Sequence, residues 1–355
     1  MDAYIEDVKR AAGAFSLPWQ QLSGKNILVL GATGLIGGCF VDVLMQHLMA
    51  EETAHADELA SANRAVGYHV YAAGRNVERA NKRFSQYIGN GHYHFIHFDV
   101  TQPLQSDIQF HYIVDAAGGA CPQLYSQDPV GVMKSNIFGV DNLMQFGLSH
   151  GLQKLVYVSS GEVYGEGDGR EFTEDYSGYI NPTTVRACYP SAKRAAETLC
   201  VCYAHQYGLE VSIARPCHVY GPHFTESDNR VYAQFIRNVL RGEDIVLKSK
   251  GEAFRSWTYV VDCAMALLYI LLKGENGNAY NIAHEESNVN IRTLAELVAE
   301  IAGRKVVFDI PDDANQGNTT PITKAIFATQ KLERLGWKPL FSLKEGLEHT
   351  IDTLR

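Results

Sequence analysis

Asn26-Ile27-Leu28-Val29-Leu30-Gly31-Ala32-Thr33-Gly34-Leu35-Ile36-Gly37 is the stretch that decides the fold. Its first five residues form a short apolar run closed by glycine, the pattern of a strand buried on both faces in a parallel sheet. Beyond the glycines, Leu35, Ile36, Cys39, Phe40, Val43 and Leu44 recur at helical spacing. Glycines between a strand and a helix let the chain turn tightly and bring backbone close to a diphosphate. The helix N-terminus adds oriented N–H donors. Glycine spacing alone is a weak signal, but the strand before it and the helix after it make it a dinucleotide-binding cradle.

The same alternation continues outward. Val70–Ala73, Phe95–Phe98, Tyr112–Val114, Leu155–Ser159 and Val211–Ala214 read as strands, with helices such as Val130–His150 and Ser191–Tyr207 between them. That alternation predicts an α/β fold, a Rossmann-like, doubly wound parallel sheet with right-handed crossovers. Residues 1–24 read as an amphipathic lead-in ending at Pro18 and Gly24, and the polar, alanine-rich Met49–Gly67 as a surface insertion. In the last third, turns such as Gly221-Pro222 and Gly274–Gly277 separate mixed elements, with helices expected at Ile291–Ala302 and Ser342–Leu354. The expected division is a dinucleotide-binding domain over 1–210 and a smaller, mixed α/β C-terminal substrate lobe over 211–355, intertwined with the first.

Composition narrows the classes. Hydrophobic residues make up 46% of the 355 and charged residues 20%, a balance that builds a globular core without staples. A net charge of −9 with no basic block argues against nucleic acid or an anionic membrane as partner. The seven cysteines lack metal-ligand spacing, and the N-terminus and interior lack a signal core and an apolar span. His92, His94, His97 and His111 bracket ordinary strands without a companion carboxylate pattern, so no metal site is expected. A cytoplasmic protein with reduced thiols is the expectation.

The adenosine end of the cradle departs from the usual pattern. The second strand ends Ala73-Gly74-Arg75-Asn76, with no carboxylate for a ribose and well past the ~20 residues at which one is expected. Arg75 can stack on adenine or meet a 2′-phosphate, so NAD is the expected cofactor and NADP stays open. Asp99 can meet the adenine amino group or cap a turn.

Tyr189-Pro190-Ser191-Ala192-Lys193 opens a helical stretch, placing a phenol and an ammonium on one face. A free tyrosine, with pKa about 10, is a poor base at neutral pH; a neighbouring cation favours the phenolate. Ser159-Ser160, at a strand end after the cradle, offers a hydroxyl to the same site.

Together with Ala116-Ala117-Gly118, Asp128-Pro129, Asn136–Gly139, Ser159–Gly165, Arg215–Pro222 and Arg255–Asp262, these motifs resemble the extended short-chain dehydrogenase/reductase family, from about Lys25 to the C-terminus. The family contains nucleotide-sugar epimerases, dehydratases and decarboxylases. The resemblance implies a nucleotide-diphosphate sugar as substrate and a homodimer built on the Val130–His150 and Ser191–Tyr207 helices. It implies that Gly31, Thr33, Gly34, Leu35, Ile36, Gly37, Arg75, Asp99, Val100, Ala116, Ala117, Gly118, Asn136, Tyr189, Lys193, Pro216 and His218 line the cofactor. Ser160 would bond the reacting hydroxyl, Tyr189 take its proton, and Lys193 hold the cofactor ribose and tune Tyr189. Asn136 would support the lysine geometry; Arg186, His218 and Arg255 would approach the substrate.

Ser160-Gly161-Glu162 separates the reactions. The family's 4,6-dehydratases carry an aspartate where Gly161 stands, and its simple 4-epimerases usually carry small residues at both positions, so Glu162 exceeds their needs. UDP-glucuronate decarboxylases keep the glutamate and an arginine three before the tyrosine, matched by Arg186-Ala187-Cys188-Tyr189 and Lys193-Arg194. Glu162 and Arg255 would then orient the carboxylate and protonate the carbanion. Two positions depart from the decarboxylases, Gly161 for serine and His218 for asparagine. A decarboxylase-like activity is therefore the leading expectation, then a 4-epimerase, then a 4,6-dehydratase or reductase, with a non-catalytic dinucleotide-binding scaffold the remote alternative.

Overall fold

In β1 (Asn26–Leu30), Ile27 and Val29 face one apolar core while Leu28 and Leu30 face a second. A strand with period-2 side chains, apolar on both sides, has to lie inside a sheet covered on both faces. The computed structural model, which describes residues 2–14, 17–54, 67–226, 228–310 and 324–355, places it there. β2 (His69–Gly74) and β3 (Tyr93–His97) lie on one side of it. On the other side come β4 (Tyr112–Asp115), β5 (Lys154–Val158), β6 (Val211–Pro216) and, at the edge, β10 (Asn278–Ile282). All seven strands are parallel. The order β3-β2-β1-β4-β5-β6-β10 reverses direction between β1 and β4, and this switch opens a crevice at the strands' carboxyl ends.

The Leu35–Ala54 and Val260–Lys273 helices cover one face, and the Pro129–His150 and Cys188–Tyr207 helices cover the other. Asp128 caps the third of these through Gly131 N at 2.9 Å, and Pro129 occupies its first turn, where no N–H is needed. Met49–Ala54, expected to begin an insertion, instead prolong the Leu35–Ala54 helix, because Leu44, Met45 and Leu48 still meet the core. Residues 55–66 of that expected insertion lie outside the described residues.

The smaller sheet, near the carboxyl ends, joins β7 (His218–Tyr220), β9 (Phe254–Tyr259), β11 (His284–Asn290) and β13 (Lys324–Ala325), with β9 at its centre. β8 (Ile245–Leu247) and β12 (Val306–Phe308) form a separate pair. Although they follow residue 210, β6 and β10 belong to the main sheet, which ties the two parts together. Asp262 fastens the C-terminal segment by accepting from Leu340 N at 2.8 Å and Phe341 N at 3.3 Å. The His69 ring, on β2, stacks on that of His92 at 4.8 Å and lies 5.3 Å from that of His94 on β3; His92 Nε2 is 3.3 Å from Glu52, and His111 Nδ1 accepts from Asn26 N at 3.0 Å.

The lead-in forms the Ala3–Ala14 helix, whose Tyr4, Val8 and Ala11 are fully buried. Its anchor is Asp42, a carboxylate with no exposure on the helix that follows the cradle. Asp42 is ion-paired with Arg83 and accepts hydrogen bonds from Tyr4 and, at 3.0 Å, from Tyr87. Removing one member of a buried pair strands the other charge. Asp42→Ala is therefore expected to cost about 3–5 kcal/mol in urea denaturation, and a loss below ~1 kcal/mol would show that Arg83 finds water without difficulty.

Candidate active site

Gly31 has φ +67° and lies so close to the end of β4 that a Cβ there would sit 2.5 Å from the Ala116 carbonyl oxygen. A Cβ on Gly37 would sit 2.5 Å from the Gly31 carbonyl oxygen, so the helix can begin this near the turn only with glycine. The cradle therefore presents bare backbone at the switch point, the shape a dinucleotide diphosphate requires. Thr33 lies against Gly74 at the end of β2. Arg75 is exposed there; Asn76 caps the next helix through Arg79 N at 2.8 Å. Asp99 caps a turn through Thr101 N at 3.0 Å and Thr101 Oγ1 at 2.9 Å, and those donors lower its pKa, with the Arg75 charge helping. Val100 turns toward Gly139, and its carbonyl accepts from Asn142 at 2.9 Å, so much of it is spent on packing.

Lys193 is carried into the sheet by the helix that Cys188 opens. The ammonium is 3% exposed, donates to the Val158 carbonyl at 2.7 Å, and lies 4.6 Å from the centre of the Tyr157 ring. Burial pulls its pKa down to about 8, while Asp115 and then Glu197 pull it up. Asp115, 1% exposed at the end of β4, is itself pushed up to about 6 by burial against the pull of Lys193. Asn136 donates to the Val132 carbonyl at 2.8 Å and accepts from Tyr157 at 3.1 Å. Its Oδ1 and the Lys193 Nζ both crowd the place where a Gly118 Cβ would be. Asn136, Gly118 and Lys193 thus form one cluster.

Tyr189 lies one turn from Lys193, whose ammonium is 5.8 Å from its ring centre. Burial raises the phenol pKa and Glu162 raises it further, while Ser160, Arg230 and Arg186 lower it. Tyr125 stacks on Tyr189 at 4.8 Å and 18°, and Arg186 lies 4.7 Å above the Tyr125 ring. Arg186 Nη2 also bridges both Glu162 oxygens, at 2.9 and 2.8 Å. Glu162 is raised by burial and lowered by Arg186. The cation on Glu162 is therefore Arg186. Arg255 lies on β9, donates to the Phe254 carbonyl at 2.8 Å, and depresses His218. Burial is the larger cause for His218, which falls to about 3 and is a neutral imidazole. Among the described residues, His218 Nδ1, Ser159 Oγ and Trp257 Nε1 are buried polar atoms without a partner, and His218 and Trp257 are neighbours at 5.2 Å. Such atoms suit a polar ligand. Pro216 ends β6 just before them.

Sequence reading missed Asp115, Tyr125 and Arg230, and gave Arg194 only as part of the Lys193-Arg194 match. Asp115 carried a signal, a charge closing the apolar run Tyr112–Val114. Arg194 bonds the Val163 carbonyl at 2.6 Å and the Gly178 carbonyl at 2.8 Å, locking the Ser160–Gly165 turn to the tyrosine helix. Arg230, gripped by Asp228, brings a cation near Tyr125, Tyr189 and His218 from a loop whose placement no local pattern reveals.

A glycine cradle at the switch point of a parallel sheet, with a buried tyrosine–lysine pair beside it, marks a dinucleotide-dependent enzyme fold. The chain belongs to the NAD dependent epimerase/dehydratase family, which matches residues 27–283. It is 34% identical over 328 residues to UDP-glucuronic acid decarboxylase 6 of Arabidopsis thaliana, covering 92% of this chain and 87% of that one. The solved UDP-glucose 4-epimerase of Thermotoga maritima with UDP-glucose has a TM-score of 0.71 and 26% identity, over 92% of this chain and 98% of that one. The fold is shared too with UDP-glucuronic acid 4-epimerase of Bacillus cereus, at TM-score 0.74 and 21% identity, over 93% and 98% of the two chains. Among the described residues no helix is long and apolar enough to cross a membrane.

The Lys193 cation is lost as pH rises through its folded pKa, and Asp115 is the charge that most raises that value. Asp115→Asn keeps an acceptor for Ala117 N but removes the charge. It should move the alkaline limb of the kcat/KM profile down by about one pH unit. An unmoved limb would mean that Lys193 is held charged by something else.

Proposed function

We propose that the chain decarboxylates a nucleotide-linked uronic acid of the UDP-glucuronate type by transient oxidation at C4. The observation that carries this reading is Glu162 bridged to Arg186 beside Ser160 and Tyr189. It joins a carboxyl group of raised pKa and a guanidinium to an alcohol-oxidising pair. The 34% identity to a UDP-glucuronic acid decarboxylase supports it.

Gly31–Gly37, Ala116–Gly118 and Lys193 would hold NAD, which when bound accepts a hydride from C4 and later returns it. Lys193 would meet the cofactor ribose and its charge would favour the Tyr189 phenolate. Ser160 would hold the C4 hydroxyl while Tyr189 takes its proton. The resulting β-keto acid loses carbon dioxide readily. Arg186 would orient the departing carboxylate, and Glu162, taking a proton from solvent as that guanidinium turns to the substrate, would deliver it to C5. His218, Trp257 and Arg255, on β7 and β9, would take the diphosphate and sugar as part of a lobe running from residue 211 onward. A 4-epimerase is the second reading, favoured by the ion pair itself, which can hold Glu162 as a structural partner.

The thiol state of all seven cysteines suits a reducing compartment, the cytoplasm. Val130, Met133 and Phe138 on one helix and Val201 and Tyr207 on its neighbour are exposed, an apolar face suited to a homodimer. Sedimentation equilibrium should show a dimer that Phe138→Lys weakens; a monomer at every concentration would exclude it.

Purified protein with NAD and UDP-glucuronate should release carbon dioxide and yield the pentose nucleotide. Tyr189→Phe should slow this by roughly 10²–10⁴-fold, and Glu162→Gln should suppress carbon dioxide release. A product of unchanged mass and inverted C4 would replace this reading with the epimerase.

A further inference from the structure

Gly161 stands between Ser160 and Glu162, and the space beside it is already filled. A Cβ on Gly161 would lie 2.2 Å from Cζ and 2.4 Å from Cε1 of Phe327. Non-bonded carbons need about 3.5–4.0 Å. The aromatic ring therefore takes the volume that any side chain at position 161 would use.

Nor is the ring free to move aside. Phe327 is 3% exposed and its N–H donates to Ser256 Oγ at 3.2 Å. It meets Tyr164 and Phe172 edge-on, each at 5.6 Å. Phe172 clasps the same segment from both sides, donating to the Ile326 carbonyl at 2.8 Å and accepting from Ala328 N at 3.0 Å. The segment thus delivers the ring to the Ser160–Tyr164 turn from the far end of the chain, and glycine at 161 is what admits it.

We infer that Phe327 is a specificity-determining residue: seated on Gly161, its ring walls the sugar site beside Ser160 and Glu162 and selects a C6 carboxylate over a C6 hydroxymethyl group. This deepens the decarboxylase reading and rests on it. Against an apolar wall a hydroxymethyl group loses water and gains no partner, which is costly. A carboxylate would lose water too, but Arg186, which bonds Glu162 through Nη2 alone, would offer it a charge-assisted bond. The ring also excludes an acid or hydroxyl at position 161, so Glu162 is the carboxyl group left on that turn to move a proton.

The test measures dissociation constants of UDP-glucuronate, UDP-glucose and UDP on the NAD-loaded protein, with thermal midpoints in parallel. Phe327→Ala should weaken UDP-glucuronate about tenfold or more, leave UDP nearly unchanged, and narrow the preference for UDP-glucuronate over UDP-glucose. Phe172→Ala, which removes one edge contact but leaves the backbone clasp and the ring on Gly161, should cost much less of that preference than Phe327→Ala. Gly161→Ser should lower the midpoint, and adding Phe327→Ala to it should restore the midpoint toward that of Phe327→Ala alone. The inference is overturned by a wild-type preference that survives Phe327→Ala, by an equal effect of Phe172→Ala, or by midpoint losses that simply add. A wild-type protein without preference for UDP-glucuronate would instead sink the decarboxylase reading, and this inference with it.

Discussion

The site depends on keeping one ammonium charged where water does not reach. Lys193 sits at the carboxyl ends of β4 and β5 with almost no exposure, and burial pulls its pKa down. The sheet supplies three compensations: the Val158 carbonyl, the face of Tyr157 and the carboxylate of Asp115. Each comes from a strand whose register is fixed by two apolar cores, so the lysine is positioned by the whole parallel sheet. A helix slipped by one residue would carry both Lys193 and Tyr189 off their face.

Around that fixed point the catalytic turn is held from several directions. Arg194 ties it to the tyrosine helix, and Arg215 ties Tyr164 to Glu197 on that helix through bonds of 3.1, 3.0 and 2.6 Å. Phe327 presses on Gly161 from the C-terminal segment. Ser160 and Glu162 therefore have little latitude. The reaction open to the site is set by which groups stand on that turn and by how Arg186 and Tyr125 surround Tyr189.

Much of this was legible in the chain because it is local. Apolar runs gave β1 and β2, each closed by glycine, β4, closed by Asp115, and β5, closed by Ser159-Ser160; a phenol and an ammonium four residues apart gave the catalytic face. The groups that escaped reading are those brought in by tertiary packing. Arg186 was expected near the substrate, but its fork on Glu162 depends on how the Val185–Ala187 turn meets the Gly161–Tyr164 turn. Tyr125 stacks on Tyr189 across 64 residues of separation and Phe327 meets Gly161 across 166, with no periodicity linking either pair. The missing acid at the end of β2 was visible, and the structure puts Arg75 and a turn-capping Asp99 there instead.

The most direct measurement follows UDP-glucuronate deuterated at C4 through a single turnover in ordinary water, with the product read by mass spectrometry and NMR. Transient oxidation at C4 with return of the same hydride predicts a decarboxylated pentose nucleotide that keeps its deuterium at C4 and carries a new solvent proton at C5. Deuterium lost to solvent, or a product that retains its carboxylate, would contradict the account.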